Sequence, residues 1–335
     1  MRKLLAVILI AMAGWSGYWF VAAQSAKSGF AAWFEDRRAD GWVAEYGTLT
    51  VRGYPNRIDT VFDALTLADP ETGLAWDAPT FRLFALSYRP NHVIAVWPPD
   101  QTLATPLEKL RLTNRDMRAS LVLESDTDLA LRRTTLTAED LAITRIDTQE
   151  TTAIAALTLA AEKVAVDAAP RYRLGVQADG LAPSLPWRAQ LDPRDALPDR
   201  FEALRADFFV TFDKPWNRSA IEEARPQPGR IEVRLAEARW GKLELQLAGE
   251  LSVDKAGQPD GTLMIKARNW RDILQLAVNS GALGEGFAST LEDGLSLVAG
   301  LAGNPQTLDI PLDFRRGRVF LGPVPLGPAP VIRLR

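Results

Sequence analysis

The chain has 335 residues, of which 47% are hydrophobic and 24% charged, with a formal net charge of −3. That balance excludes a disordered chain, a polytopic membrane protein and a positive field of the kind that binds nucleic acid. It has no cysteine and one histidine, His92, so disulfides, thiolate metal sites, cysteine nucleophiles and two-histidine mechanisms are excluded as well.

Arg2 and Lys3 precede an uncharged run from Leu4 to Ala23. At about 1.5 Å per residue this run can cross a bilayer core of about 30 Å. The basic end should stay in the cytoplasm and the rest of the chain outside it. A cleavable signal peptide is supported by the small residues Val21-Ala22-Ala23 before Gln24. An uncleaved anchor is supported by the length of the run and by Trp15, Tyr18 and Trp19 near its outer end, where amphipathic rings prefer the interface. The anchor is favoured, because signal-peptide apolar cores span only about 7–15 residues. Residues 1–24 are therefore read as the anchor or signal, with Leu4, Ile8, Trp15 and Trp19 as its contact residues.

Residues 25–42 predict a continuing helix with Phe30, Trp33 and Phe34 on one face and Gly41 as its stop. Beyond it the apolar period becomes two. Leu49 and Val51 alternate, Gly53-Tyr54-Pro55-Asn56 breaks the chain, and Leu65 and Leu67 alternate before the turn Asp69–Gly73. Phe81, Leu83 and Ala85 predict a strand, and Val93 to Trp97 another, ended by Pro98-Pro99. From about 107 to 180, apolar pairs two apart recur without a fixed period: Leu110/Leu112, Leu121/Leu123, Leu129/Leu131, Leu141/Ile143, Leu157/Leu159 and Val164/Val166. They read as a long antiparallel meander. Pro183 to Pro198 holds four prolines and is the expected boundary between a first β-rich half, 25–182, and a second, 183–335.

In the second half Ala206, Phe208, Val210 and Phe212 alternate, as do Ile231, Val233 and Leu235. From Leu243 to Val253 the odd positions are aliphatic apart from Gly249, and after the loop Asp254–Gly261 the pattern resumes at Leu263, Ile265 and Ala267. Asn269 is expected to cap a helix carrying Trp270, Ile273, Leu274, Ala277 and Val278 on one side. A second helix aligns Phe287, Leu291, Leu295 and Val298, so helices fall near 269–301. Leu308, Ile310, Leu312 and Phe314 alternate, with Pro311 placed as an edge strand would allow, before a Pro/Gly-rich tail. The fold class expected is mainly β (α+β): long, curved antiparallel sheets with a few covering helices, preceded by one N-terminal transmembrane helix.

Catalytic, cofactor and metal residues are expected to be none, and the chain is not expected to be an enzyme. His92 lies in a turn with no nucleophile or orienting carboxylate nearby in sequence, so a structural role is the better reading. Asp126 and Asp128 lack the glycine and distal glutamate of an EF-hand loop, and Asp254 to Asp260 has the composition a hairpin loop needs. Asn217-Arg218-Ser219 is a glycosylation pattern without meaning in a bacterial host. The ten tryptophans are dispersed singly, as packing residues are.

What carries information is the one-sided strand. Leu243, Leu245, Leu247, Leu251, Val253, Leu263 and Ile265 form the candidate apolar groove. Each such side chain gains about 1.5–3 kcal/mol from cover. Three readings compete: a face that holds acyl chains, a sheet closed under its own helices, and an envelope scaffold acting through strand edges.

Several stretches together resemble a family of membrane-anchored alphaproteobacterial proteins catalogued as a domain of unknown function. They are Gly53-Tyr54-Pro55-Asn56-Arg57-Ile58, Asn91 to Pro99, Asn269-Trp270-Arg271 and Leu321 to Pro330. The resemblance implies export and supplies no activity. A looser similarity, from Trp240 to Leu251, is to AsmA-like proteins, whose long amphipathic strands form apolar grooves implicated in lipid handling. These resemblances imply a single-pass protein of the bacterial inner membrane with its main domain in the periplasm. The partners they imply are the inner membrane, lipid or an envelope protein, and not nucleic acid.

Overall fold

The structure, a computed structural model, describes residues 1–164, 169–222, 224–301, 304–322 and 324–334. It divides into two compact units, the first Met1–Ser125 with Leu136–Gln149, the second Asp126–Thr135 with Glu150–Arg335. The fold is mainly antiparallel sheet behind one long N-terminal helix, as expected.

Helix α1 runs unbroken over Arg2–Ala39, joining the apolar run and the expected second helix into one rod, and Gly41 at φ +86° ends it. It is long and apolar enough to cross a membrane. Strands β1 (Val43–Glu45), β2 (Thr48–Arg52), β3 (Arg57–Asp69) and β4 (Leu74–Leu86) follow, with β1 and β2 both pairing with β3. On the far half of α1, Phe30 and Phe34 meet Phe62 at 5.3 and 5.7 Å, in a core with Ala44, Leu49, Leu65 and Ala78.

The sheet of the first unit forks at β4. Arg82–Leu86 pairs with β5 (Arg89–Val96), whereas Ala75–Asp77 pairs with β6 (Asp100–Ala104). Between them lies Pro79, opposite the left-handed Ala64 at φ +51°, where neither residue takes part in the β3–β4 register. Strand β7 (Lys109–Thr113) pairs with β6, β8 (Asp116–Leu123) with β5, and the end of β9 (Leu131–Arg145) with β7.

The second unit is a meander in which each strand pairs with the next. Its strands are β10 (Thr151–Val164), β11 (Arg171–Asp179), β12 (Ala203–Phe212), β13 (Pro228–Trp240), β14 (Leu243–Val253), β15 (Pro259–Arg268), β16 (Thr307–Arg315), β17 (Arg318–Leu321) and β18 (Val324–Pro328). Short helices α2 (Leu185–Leu191) and α3 (Arg218–Glu222) sit in connections, and α4 (Trp270–Asn279) and α5 (Glu285–Leu301) join β15 to β16.

Three local expectations need correction. The proline-rich segment 183–198 is an excursion inside the second unit, because β11 and β12 on either side of it pair directly from Arg171↔Thr211 to Ala178↔Leu204. The Pro/Gly-rich tail contains β17 and β18, so β16 is flanked on both sides, and Pro311 falls just past the β17 ladder, which begins at Leu312↔Leu321. Asn269 is the N-cap of α4, with φ +54°, but caps it through its backbone carbonyl alone; its side-chain amide donates to the Lys242 carbonyl instead of accepting from the first turn. Val166 lies outside the described residues, as does the side chain of Val298.

Candidate functional site

Directly opposed residues of an antiparallel ladder share a face. In the second unit one cross-strand row runs Leu159, Val176, Ala206, Ala236, Leu247, Ile265, Ile310. The next runs Ala161, Leu174, Phe208, Val233, Gly249, Leu263, Leu312, Leu321. The register slip at Asp207/Phe208 is a β-bulge that leaves Arg234 alone out of the ladder, so Ala236 and Val233, three apart, still stand opposite Ala206 and Phe208, two apart, on one side of the sheet. The apolar face therefore spans far more strands than the β14–β15 hairpin.

Its two ends have different surroundings. Of the groove residues, Leu243, Leu251, Val253 and Leu263 are buried, and Leu245, Leu247 and Ile265 are half-buried against core clusters. The protein itself supplies their cover. Leu291, Leu295 and Ala299 of α5 close over Ala267, Leu308 and Ile310. Val319, Phe314 and Ala329 close over Leu251 and Leu263, while Leu191, Leu197, Ile273 and Leu276 close over Leu243 and Trp240. The greasy furrow expected along Leu243–Val253 is thus occupied by the helices and by the β17–β18 hairpin.

Toward β10–β13 the same face carries Leu157, Leu159, Val176, Leu204, Ala206, Phe208, Val233 and Ala236, all at least partly exposed, with Leu159 at 38%; Ala178, between Leu157 and Leu204, is buried. The main helix contacts on this sheet fall on β14 and β16. At the edge of the bare stretch a small cluster of Tyr172, Val210, Phe212 and Trp216 takes up Leu174 and Phe208 from the side. Behind it, on the polar face, a hollow of about 420 Å³ is lined by Ala160 and Gly175, whose small size leaves it unfilled. Arg173 and Asp207 bond across that hollow at 2.8 and 2.9 Å, and the Arg173 guanidinium holds the Asp207 carboxyl below the usual carboxylate range.

The anchor residues divide likewise. Leu4 and Ile8 project into open space at 66% and 46% exposure. Trp15 and Trp19 instead bind the turn between β2 and β3. The Trp15 indole N–H donates to the Pro55 carbonyl at 3.0 Å and the Trp19 indole to the Arg57 carbonyl at 2.7 Å. Between them, Tyr18 Oη–H donates to the Ser87 carbonyl at 2.6 Å, and Ser16 Oγ lies 2.8 Å from Tyr54 Oη. Trp19 packs edge-on to Tyr54 and is buried. The partners Tyr54, Pro55, Arg57 and Ser87 escaped the sequence reading, because the contacts join positions 38 to 69 residues apart. The quoted Gly53-Tyr54-Pro55-Asn56-Arg57 stretch was the available signal.

His92 has a partner that sequence spacing hid. Its Nε2 lies 2.9 Å from Ser120 Oγ, which β8 brings diagonally beside it across the β5 ladder. Among the described residues no acid bonds to its other ring nitrogen, the contact that orients a catalytic histidine.

No curated protein and no solved structure matches the chain. The family described as an uncharacterized protein conserved in bacteria (DUF2125) matches residues 19–330, from the Trp19 that fastens helix to turn through the last strand, and the chain belongs to that family.

Proposed function

We propose that the protein is a non-enzymatic, single-pass protein of the bacterial inner membrane that holds lipid acyl chains against the bare end of its apolar face. The observation that carries this reading is the row Leu159–Val176–Ala206–Ala236, which continues a core row into β10–β13, away from β14 and β16 where, among the described residues, the main helix contacts fall. Aliphatic side chains arrayed over several strands offer contact area to hydrocarbon and no group that moves a proton. The similarity of Trp240–Leu251 to AsmA-like proteins points the same way. Export to the periplasm is supported by Arg2 and Lys3, which open α1 ahead of its apolar run. Retention of α1 is supported by the buried Trp19, since cleavage after Ala23 would strip Trp15, Tyr18 and Trp19 from the turns they bind.

The test is lipid bound per protein, measured by mass spectrometry after extraction in mild detergent. Ala206→Asp should lower the ratio several-fold relative to the unmodified chain, whereas Gln177→Asp on the reverse face should leave it unchanged. Equal ratios in all three would overturn the reading. A lipid-poor protein that retains a defined envelope protein would favour a scaffold instead.

A further inference from the structure

The helix α1 contains too few residues ahead of its docking site to cross a bilayer alone. A hydrocarbon core of about 30 Å takes about 20 residues, which from Leu4 reaches Ala23. The β2–β3 turn, however, is bonded at Trp15 and Trp19. At about 1.5 Å per residue those positions lie about 6–12 Å short of Ala23. Resting on the reading that α1 spans the membrane, we propose that the Gly53–Arg57 turn and the Ser87–Tyr88 turn are immersed in the outer leaflet, making the near end of the first unit a lipid-contacting surface.

Irregular backbone tolerates that depth only where its polar groups find partners inside the protein. Here they do. The Gly53 carbonyl accepts from Arg57 N–H at 2.8 Å, and the Asn56 carbonyl from Ser87 N–H at 2.9 Å. The carbonyls of Pro55, Arg57 and Ser87 accept from Trp15, Trp19 and Tyr18. A turn bathed in water has no need to recruit three aromatic donors from a neighbouring helix.

The side chains at the tips match the same setting. Tyr54, Tyr88 and Phe20 are 53%, 57% and 64% exposed, at the level where amphipathic rings collect in an interface. Arg52, Arg57 and Arg89 are exposed beside them, with Arg57 paired to Asp59 at 2.8 Å, placed to reach up to the phosphates. The partner is thus the anionic phospholipid leaflet around α1.

Because the chain has no cysteine, single-cysteine spin labels can be placed without background. Full-length Leu9→Cys, Asn56→Cys, Tyr88→Cys and Glu71→Cys would be labelled and reconstituted in phosphatidylethanolamine–phosphatidylglycerol vesicles. Glu71, in the β3–β4 turn at the opposite end of β3, is the aqueous reference. Collision with oxygen relative to a water-soluble nickel reagent should be highest at Leu9, and several-fold higher at Asn56 and Tyr88 than at Glu71. If Asn56 and Tyr88 match Glu71 while Leu9 stays in hydrocarbon, immersion is wrong and the anchor stands. If Leu9 also matches Glu71, the anchor reading falls too.

Discussion

Leu159 and Ile310 belong to one cross-strand row, yet the first is 38% exposed and the second 3%. Both ends of the row have the same strand alternation and the same aliphatic chemistry. What differs is the neighbour. At the Ile310 end α5 brings Leu291, Leu295 and Ala299 onto the sheet; at the Leu159 end no helix among the described residues packs as closely. Period-two alternation identifies the apolar side of a sheet, but it says nothing about which part of that side the chain will cover. Cover is a property of connections, here the two helices inserted between β15 and β16.

Substitutions at the two ends should therefore behave differently. The largest effect is expected at the covered end, where Leu291→Ala, at a site 2% exposed, should cost about 2–5 kcal/mol in denaturant unfolding. Gly249→Ala should follow, because φ is +146° there and an added Cβ would stand 2.3 Å from the Thr262 carbonyl oxygen. Strain of that kind costs about 1–3 kcal/mol, read from the melting temperature. At the bare end Val176→Ala should change stability by less than about 1 kcal/mol while lowering bound lipid. A Val176→Ala loss as large as that of Leu291→Ala would erase the distinction between the ends.

The smallest effect lies behind the bare end. Arg173 lowers the Asp207 pKa in the folded chain, so the pair's contribution is present above the ordinary carboxylate pKa and fades as pH falls through the folded value. Exposed pairs are worth about 0.2–1 kcal/mol. Asp207→Asn should flatten the acid limb of stability against pH by that amount and leave bound lipid unchanged. A lipid loss in Asp207→Asn would show that the two faces are not independent.

Much of this architecture was legible in the residues. The expected strand from Leu243 to Val253 is β14 to the residue, and Gly41 does end the leading helix. Those features are local and periodic. The tail was misjudged because Gly322, Gly327 and the prolines around them mask the alternation of β17 and β18, which here closes over Leu251 and Leu263. The proline-rich segment looked like a boundary because prolines end strands equally well in a linker and in a long connection. Ser120 beside His92, and Pro55 beside Trp15, are cross-element contacts that spacing along a chain cannot carry.

The rod is fastened to β3 at two separated places, by Trp19 at Arg57 and by Phe34 at Phe62. From Trp19 to Phe34 along α1 is about 22 Å at 1.5 Å per residue. From Arg57 to Phe62 along β3, bonded or packed to the same two side chains, is about 17 Å at 3.3 Å per residue. Two members joined at two places cannot pivot separately, so under the proposal that α1 spans the membrane its inclination there becomes the pitch of β3. Membrane thickness, through hydrophobic mismatch, would then act as a goniometer for the first unit, turning its ladder by as many degrees as the rod leans.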